Sequence, residues 1–203
     1  MEAEWEFEFM LKRVCVFCGS SIGKRPEYIE AARAMGTLLA RNGVGVVYGG
    51  GRTGLMGAVA DAAIAAGGEV IGVIPGALAT RELKHEGLSQ QFVVSSMHER
   101  KAKMAELSDG FIALPGGLGT FEELCEILTW AQLGIHSKVC GVLNTAGYFD
   151  PLLALFDHAV EERFVRADDR ALLMDAAEPE ALFEKLNAFV PPTRTRWVGP
   201  VES

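Results

Sequence analysis

The sequence predicts an α/β protein with a Rossmann-like fold, a doubly wound and mainly parallel sheet that carries helices on both faces. Apolar, β-branched runs alternate with segments of helical periodicity along most of the chain. The apolar runs are continuous rather than alternating with polar residues, which is typical of strands covered on both faces. Together these two observations favour a parallel sheet between two helical layers.

Strands and helices can be assigned in order from these patterns. The predicted strands are RVCVFCG (13–19), VGVVYGG (44–50), EVIGVIPG (69–76), QFVVSS (91–96), GFIALPGG (110–117) and KVCGVLN (138–144). The predicted helices lie near 26–42, 54–67, 97–107, 119–134, 148–163 and 179–189. A length of 203 residues suits one sizeable core. We therefore expect a single nucleotide-binding domain over 12–190, preceded by an N-terminal extension (1–11) and followed by a proline-containing tail (191–203).

Composition argues against several kinds of partner. The formal net charge is −8 and no large Lys/Arg cluster offsets it, so a nucleic acid polymer is not an expected ligand. No apolar run approaches the roughly 18 residues that a membrane span requires. The first ten residues, MEAEWEFEFM, are acidic and alternate with aromatics, unlike a signal peptide. These features predict a cytoplasmic protein that does not bind membranes.

The cysteines and histidines do not predict a metal site. Cys15 and Cys18 have C-x-x-C spacing, but they lie on a predicted strand where positions three apart point to opposite faces. We interpret them as core thiols, because no second cysteine pair or nearby histidine completes a zinc site. His98-Glu99 begins like a zinc-protease motif but lacks its second histidine.

Three glycine-rich loops follow predicted strands: CGSSIG (18–23), YGGGRTGLMG (48–57) and LPGGLGT (114–120). In a parallel sheet the strand-to-helix loops emerge at one edge, where ligands bind. Glycine amides and helix N-termini suit anions, so three such loops predict an anion-binding crevice, although each alone is compatible with a tight turn. The candidate binding residues are Gly19, Ser20, Gly49, Gly50, Gly51, Thr53, Gly54, Pro115, Gly116, Gly117, Leu118, Gly119 and Thr120.

The second loop matches half of the dinucleotide-binding fingerprint. Gly49-x-Gly51-x-x-Gly54 follows a strand and opens a helix. The fingerprint also needs a carboxylate at the end of the next strand to hold a ribose hydroxyl. Glu69 precedes that strand, which ends in Ile-Pro-Gly, so the pattern does not favour a nicotinamide dehydrogenase.

A cationic pair interrupts an apolar helix face. One face of the predicted helix carries Met97, Arg100, Lys101 and Met104. This helix starts at the same sheet edge as the glycine loops. These cations can extend to solvent or pair with acidic neighbours. Their location favours a second interpretation, in which the arginine fork and the lysine bind phosphate.

Three glutamates follow the last glycine loop. We interpret Glu122 and Glu126 as solvated residues that complement the helix dipole. Glu123 shares a half-apolar face with Ile127 and Trp130, where an idle carboxylate would be costly. The positive helix end and a nearby arginine are expected to keep Glu123 ionised at neutral pH.

An ionised carboxylate beside a phosphate suits the activation of water or the stabilisation of positive charge. Cleavage between a phosphate-bearing sugar and its base creates such a charge, an oxocarbenium-like centre. The residues alone thus predict a nucleotide or sugar-phosphate binder with a poised carboxylate at Glu123.

The chain resembles the LOG (Lonely Guy) family of cytokinin riboside 5′-monophosphate phosphoribohydrolases over about 12–190, and no cofactor is implied. The resemblance rests on YGGGRTGLMG, on MHERKAKM, and on PGGLGTFEE followed by LTWAQLGIH. It implies hydrolysis of N6-substituted AMP, or of AMP itself, to free base and ribose 5-phosphate. By position it implies catalytic Arg100 and Glu123, a substrate contact at Lys101 next to Met97, and ligand contacts at Glu82 and Thr129. It also implies a homodimer, while the region 80–90 departs from the plant pattern.

Two other functions bear on this expectation. A non-catalytic nucleotide or molybdenum-cofactor carrier would have a similar fold and similar glycine loops, but Arg100 together with Glu123 favours an enzyme. The family is often labelled as lysine decarboxylase, a reaction that requires pyridoxal phosphate on a Schiff-base lysine. Nothing in the sequence nominates such a lysine.

Overall fold

A computed structural model describes residues 11–79 and 85–190. The predicted C-terminal tail (191–203) and all but the last residue of the predicted extension (1–11) lie outside the described residues. So does Glu82. What was expected of these segments stays a prediction.

The described chain alternates strands and helices. The strands are β1 (Arg13–Phe17), β2 (Gly45–Tyr48), β3 (Val70–Pro75), β4 (Gln90–Val94), β5 (Gly110–Ala113), β6 (Val139–Leu143) and β7 (Leu173–Ala176). The helices are α1 (Pro26–Arg41), α2 (Gly54–Ala65), α3 (Met97–Glu106), α4 (Leu118–Gln132), α5 (Asp150–Glu161), α6 (Ala167–Arg170) and α7 (Pro179–Asn187). Short 3₁₀ turns cover Gly76–Leu78 and Thr145–Gly147.

The strands form one seven-stranded sheet in the order β4-β3-β2-β1-β5-β6-β7. Every pairing is parallel, and β1 lies at the centre with Val14 opposite Val46 on one side and Gly110 on the other. This arrangement confirms the predicted Rossmann-like fold. The chain order reverses between β1 and β5, and ligands bind at such a reversal in open parallel sheets.

The sequence interpretation missed β7 and α6. Both elements are four residues long, and two residues of β7 are only half-buried, so the apolar run is too short to stand out. Predicted and observed boundaries also differ by a few residues. The fifth strand ends at Ala113 because Pro115 and the glycines turn the chain, and α5 begins only at Asp150 because the 3₁₀ turn Thr145–Gly147 precedes it.

The core has two layers, one on each face of the sheet. Cys15 packs in the layer that contains Phe111 and Leu124, whereas Cys18 packs in the opposite layer with Leu55. This placement in two layers confirms that they point to opposite faces, and both thiols are buried and free. Among the helices of residues 11–79 and 85–190, none is both long and apolar enough to cross a membrane.

Candidate active site

The three glycine-rich loops meet at Gly19. Its N–H donates to the Pro115 carbonyl at 3.0 Å, which joins the loops after β1 and β5. Its carbonyl accepts hydrogen bonds from the amides of Leu55 (3.0 Å) and Met56 (3.3 Å) at the start of α2. The predicted convergence of the three loops on one sheet edge is therefore confirmed.

Close backbone approach explains several of these glycines. A Cβ on Gly116 would overlap the Thr120 hydroxyl, and a Cβ on Gly54, whose φ is +63°, would overlap the Ser20 carbonyl. No side chain caps α2 or α4 at Thr53 or at Gly117. The Gly19 carbonyl already binds the Leu55 and Met56 amides of α2, whereas no side chain caps the first-turn amides of α4, which are the usual basis of an anion site. The crevice is lined by Gly19, Ser20, Ser21, Ile22, Gly23, Tyr28, Leu55, Pro115, Gly116, Gly117 and Tyr148.

Arg100 of α3 and Glu123 of α4 form an ion pair. Arg100 Nη1 donates to Glu123 Oε1 at 2.6 Å, and Arg100 Nε donates to the Val73 carbonyl at 3.2 Å. The side chains are 11% and 10% exposed, so the pair is largely screened from solvent. A Cβ on Gly49 would overlap Arg100 Nη2, which places the guanidinium directly against the second glycine loop.

Local sequence fixes the start of α3 and so the position of Arg100. The Ser96 hydroxyl accepts from the Glu99 amide at 3.1 Å, a helix N-cap. The Glu99 carboxylate in turn accepts from the Ser95 amide at 2.7 Å. These two hydrogen bonds anchor the first turn from which Arg100 projects.

The electrostatics of Glu123 include an effect that the sequence interpretation left out. Burial raises the pKa of the Glu123 carboxyl above its ordinary value, while Arg100 acts in the opposite direction. Sequence reasoning considered only the helix end and the arginine, which favour the ionised form, and missed the desolvation that outweighs them. Burial raises the pKa of the Cys18 thiol as well, and the charge of Glu123 adds to that shift.

Lys101 contacts α4 rather than the glycine loops. Its buried ammonium donates to Glu122 at 2.5 Å and to Glu126 at 3.0 Å, and the Glu122 hydrogen bond raises the pKa of Lys101. This is the acidic pairing that the sequence left open. The interpretation of Glu126 as solvated is wrong, since its carboxylate is only 24% exposed and one oxygen is buried without a partner in the described chain. Direct phosphate binding by Lys101 stays a prediction.

Three other predicted ligand residues do not line the crevice. Thr129 is exposed, donates to the Cys125 carbonyl, and lines an apolar cavity between α4 and α5 that shares no lining residue with the crevice. Met97 and Leu118 are 46% and 86% exposed at the starts of α3 and α4. Glu69 pairs with Arg13 where β1 starts, away from the glycine loops, as its position before the strand predicted.

Tyr148 is a crevice residue that sequence reasoning missed. It follows β6, and its hydroxyl donates to the carbonyl of Gly116 in the third glycine loop. The available signal was an aromatic pair, Tyr148-Phe149, just beyond the carboxyl end of the sixth strand. It was overlooked because the loop after β6 is not glycine-rich.

Fold and site together define a Rossmann-like α/β protein with a buried arginine–glutamate pair beside its glycine loops. Residues 56–186 match the family described as "Possible lysine decarboxylase". The chain is 49% identical over 186 residues to the cytokinin riboside 5′-monophosphate phosphoribohydrolase LOG1 of Arabidopsis thaliana, covering 92% of this chain and 87% of that protein. It is 52% identical over 180 residues to the probable enzyme LOGL2 of Oryza sativa subsp. japonica, covering 89% and 74%. The chain therefore belongs to the LOG family.

Solved structures extend the fold likeness further. A molybdenum cofactor carrier protein from Chlamydomonas reinhardtii has a TM-score of 0.68 at 23% identity, covering 87% of this chain and 98% of that one. A molybdenum cofactor binding protein from Rippkaea orientalis has a TM-score of 0.67 at 22% identity, covering 89% and 98%. At such identities the likeness concerns the fold alone.

Proposed function

We propose that the protein hydrolyses the N-glycosidic bond of cytokinin riboside 5′-monophosphates, that is, of N6-substituted AMP, with AMP as a second candidate substrate. The products are the free base and ribose 5-phosphate. The observation that carries the proposal is the 2.6 Å contact of Arg100 with Glu123 beside three converging glycine loops. Relatives about half identical to this chain, which bear the name of this activity, support it.

The proposed chemistry separates charges on one ligand. The phosphate binds at the loop amides and the N-terminus of α4, whereas Glu123 faces the sugar carbon. As the bond from that carbon to the base breaks, its electrons leave with the base and the sugar acquires oxocarbenium character. The ionised Glu123 stabilises this centre and orients the water whose oxygen forms the new bond to carbon. This water loses one proton and the departing base gains one, which balances the reaction. Arg100 counters the effect of burial and so favours the carboxylate form.

The lysine decarboxylase description fits these residues less well. A lysine that forms a Schiff base must lose its proton readily. Lys101 lies nearest to the ion pair in sequence, and its two glutamate partners raise its pKa, which favours the protonated form. The carrier alternative draws support only from structures that share the fold at low identity.

The assembly and location follow from the family resemblance and the composition. We propose a homodimer located in the cytoplasm. Light scattering after size-exclusion chromatography tests the assembly, because a dimer has twice the 21.9 kDa mass of the chain. A monomer that is fully active would contradict it.

The test of function incubates the purified protein with AMP and with isopentenyl-AMP and quantifies free base and ribose 5-phosphate. Glu123→Ala should abolish hydrolysis and leave nucleotide binding largely intact. Glu30→Ala, on the exposed face of α1, serves as a control and should retain full activity. A parent protein that binds the nucleotides and releases no base would support the carrier instead.

A further inference from the structure

The Tyr148 hydroxyl contacts the third glycine loop. It donates a hydrogen bond to the carbonyl oxygen of Gly116 and lines the same crevice as Gly19 and Gly117. Tyr148 and Gly116 lie on loops that follow different strands, β6 and β5. The contact therefore fixes one loop of the sheet edge against another.

The ring of Tyr148 is held by other aromatic rings. Phe149 meets it edge-on with centroids 5.1 Å apart, and Tyr28 does so at 5.5 Å. Phe121 of α4 lies nearly parallel to it at 6.4 Å. Packing on several sides restricts the ring, so the direction of its hydroxyl is set before any ligand arrives.

The backbone before Tyr148 is strained. Ala146 has a φ of +53°, a conformation that a residue with a Cβ adopts at a cost. Asn144 holds this turn, because its side chain donates to Asp150 at 2.7 Å and accepts from the Phe149 amide at 2.7 Å. A strained turn kept at the carboxyl edge of the sheet is typical of a functional position.

The Gly116–Gly117 peptide is the part of the third loop that most needs such support. Neither residue has a Cβ, so the peptide plane between them can rotate at little steric cost. Its carbonyl and the Gly117 N–H point in opposite directions, because the peptide is planar and trans. A rotated peptide would present a carbonyl oxygen where the N–H had been, and that oxygen would repel a phosphate.

We propose that Tyr148 is a positioning residue for recognition of the substrate's 5′-phosphate. By binding the Gly116 carbonyl, its hydroxyl keeps that oxygen away from the anion and the Gly117 N–H in a fixed direction. The inference rests on the proposed function for the identity of the ligand. It assigns a role in phosphate affinity rather than in bond cleavage, since Arg100 and Glu123 do not contact Tyr148 through any hydrogen bond of the described chain.

The test compares Tyr148→Phe with Tyr48→Phe. Both changes remove one hydroxyl and keep the ring, but the Tyr48 hydroxyl is buried and has no hydrogen-bond partner among the described residues. Calorimetry measures the Kd of each variant for AMP and for adenosine, which lacks the phosphate. Loss of one hydrogen bond predicts that Tyr148→Phe weakens AMP binding about three- to tenfold. Adenosine binding should not change, and Tyr48→Phe should bind both ligands like the parent.

Steady-state assays add a second measurement. In Tyr148→Phe the KM for the nucleotide should rise, while kcat stays near that of the parent. Unchanged AMP affinity, or an equal loss for AMP and adenosine, would overturn the proposal; the second result would indicate general damage to the fold. A parent that binds AMP without hydrolysing any nucleotide would refute the proposed function alone, since the binding comparison needs no turnover. A parent that binds neither ligand would overturn both.

Discussion

Removing the charge of Glu123 should destabilise the folded protein as well as inactivate it. In Glu123→Gln the Arg100 guanidinium, only 11% exposed, loses its counter-charge. Breaking a buried ion pair in this way typically costs about 3–5 kcal/mol. The glutamine still offers a hydrogen-bond acceptor, Arg100 keeps its bond to the Val73 carbonyl, and burial already disfavours the charge that is removed. We therefore expect a smaller loss, about 2 kcal/mol. For a chain of this length that is a fall in Tm of about 4–8 °C.

Urea unfolding at pH 7 of the parent, Glu123→Gln, Arg100→Met and the double variant measures this effect. The double variant should lose about 2 kcal/mol less than the sum of the single losses, because the second change removes the charge that the first left unpaired. Glu122→Gln is the matched control. Its carboxylate is 55% exposed, so the loss should be at most about 1 kcal/mol. An unchanged unfolding midpoint for Glu123→Gln, or additive losses in the double variant, would refute the buried contact.

Four further predictions concern the same site and its surroundings. Burial raises the pKa of Glu123, and the ionised form is the active one. In assays from pH 4 to 8, the midpoint of the acidic limb of kcat should therefore lie above 4.5, the ordinary pKa of a glutamate. A midpoint at or below 4.5 would contradict the assignment of Glu123. The raised pKa means that the folded protein binds the Glu123 proton more tightly than the unfolded chain does. The stabilisation that this proton gives the folded protein is fully present below pH 4.5 and is lost as pH rises through the pKa of the folded state. Gly49→Ala places a Cβ on the Arg100 guanidinium and should lower kcat/KM at least about tenfold. Gly76→Ala is the control, because its Cβ would make only ordinary contacts and kcat/KM should stay near that of the parent. Equal losses in the two variants would argue against the close approach of Arg100 to Gly49. Brief alkylation of the folded protein should modify Cys125 alone by mass spectrometry, because the other three cysteines are buried; labelling of a second site at equal rate would contradict the packing.

Much of the fold could be predicted because its strands are strongly apolar and separated by long helical segments. Where the signal was short, prediction failed: the four residues of β7 fall between acidic stretches and resemble a loop. The end of β5 depends on the turn at Pro115 rather than on hydrophobicity, so the strand was drawn too long.

The site was predictable at the level of loops and less so at the level of side chains. The prediction of a parallel sheet placed the glycine loops and the starts of α3 and α4 on one edge. That Arg100 contacts Glu123 on this edge depends on the order of the strands in the sheet, which the structure shows. Periodicity does not reveal how deeply a carboxylate is buried, so the upward shift of the Glu123 pKa was missed. The pairing of Lys101 with Glu126 depends on how two helices pack, which one sequence does not fix.

The junction at Gly19 has a consequence for how the protein folds. Gly19 joins segments from opposite halves of the chain, Leu55 and Pro115 among them. Such long-range closure is slow, since the entropy of a large loop is lost before the contact forms. The Arg100–Glu123 pair also depends on long-range assembly, because three strands lie between β4 and β5, the strands that precede α3 and α4. Competence to recognise a ligand should therefore be among the last properties acquired during folding.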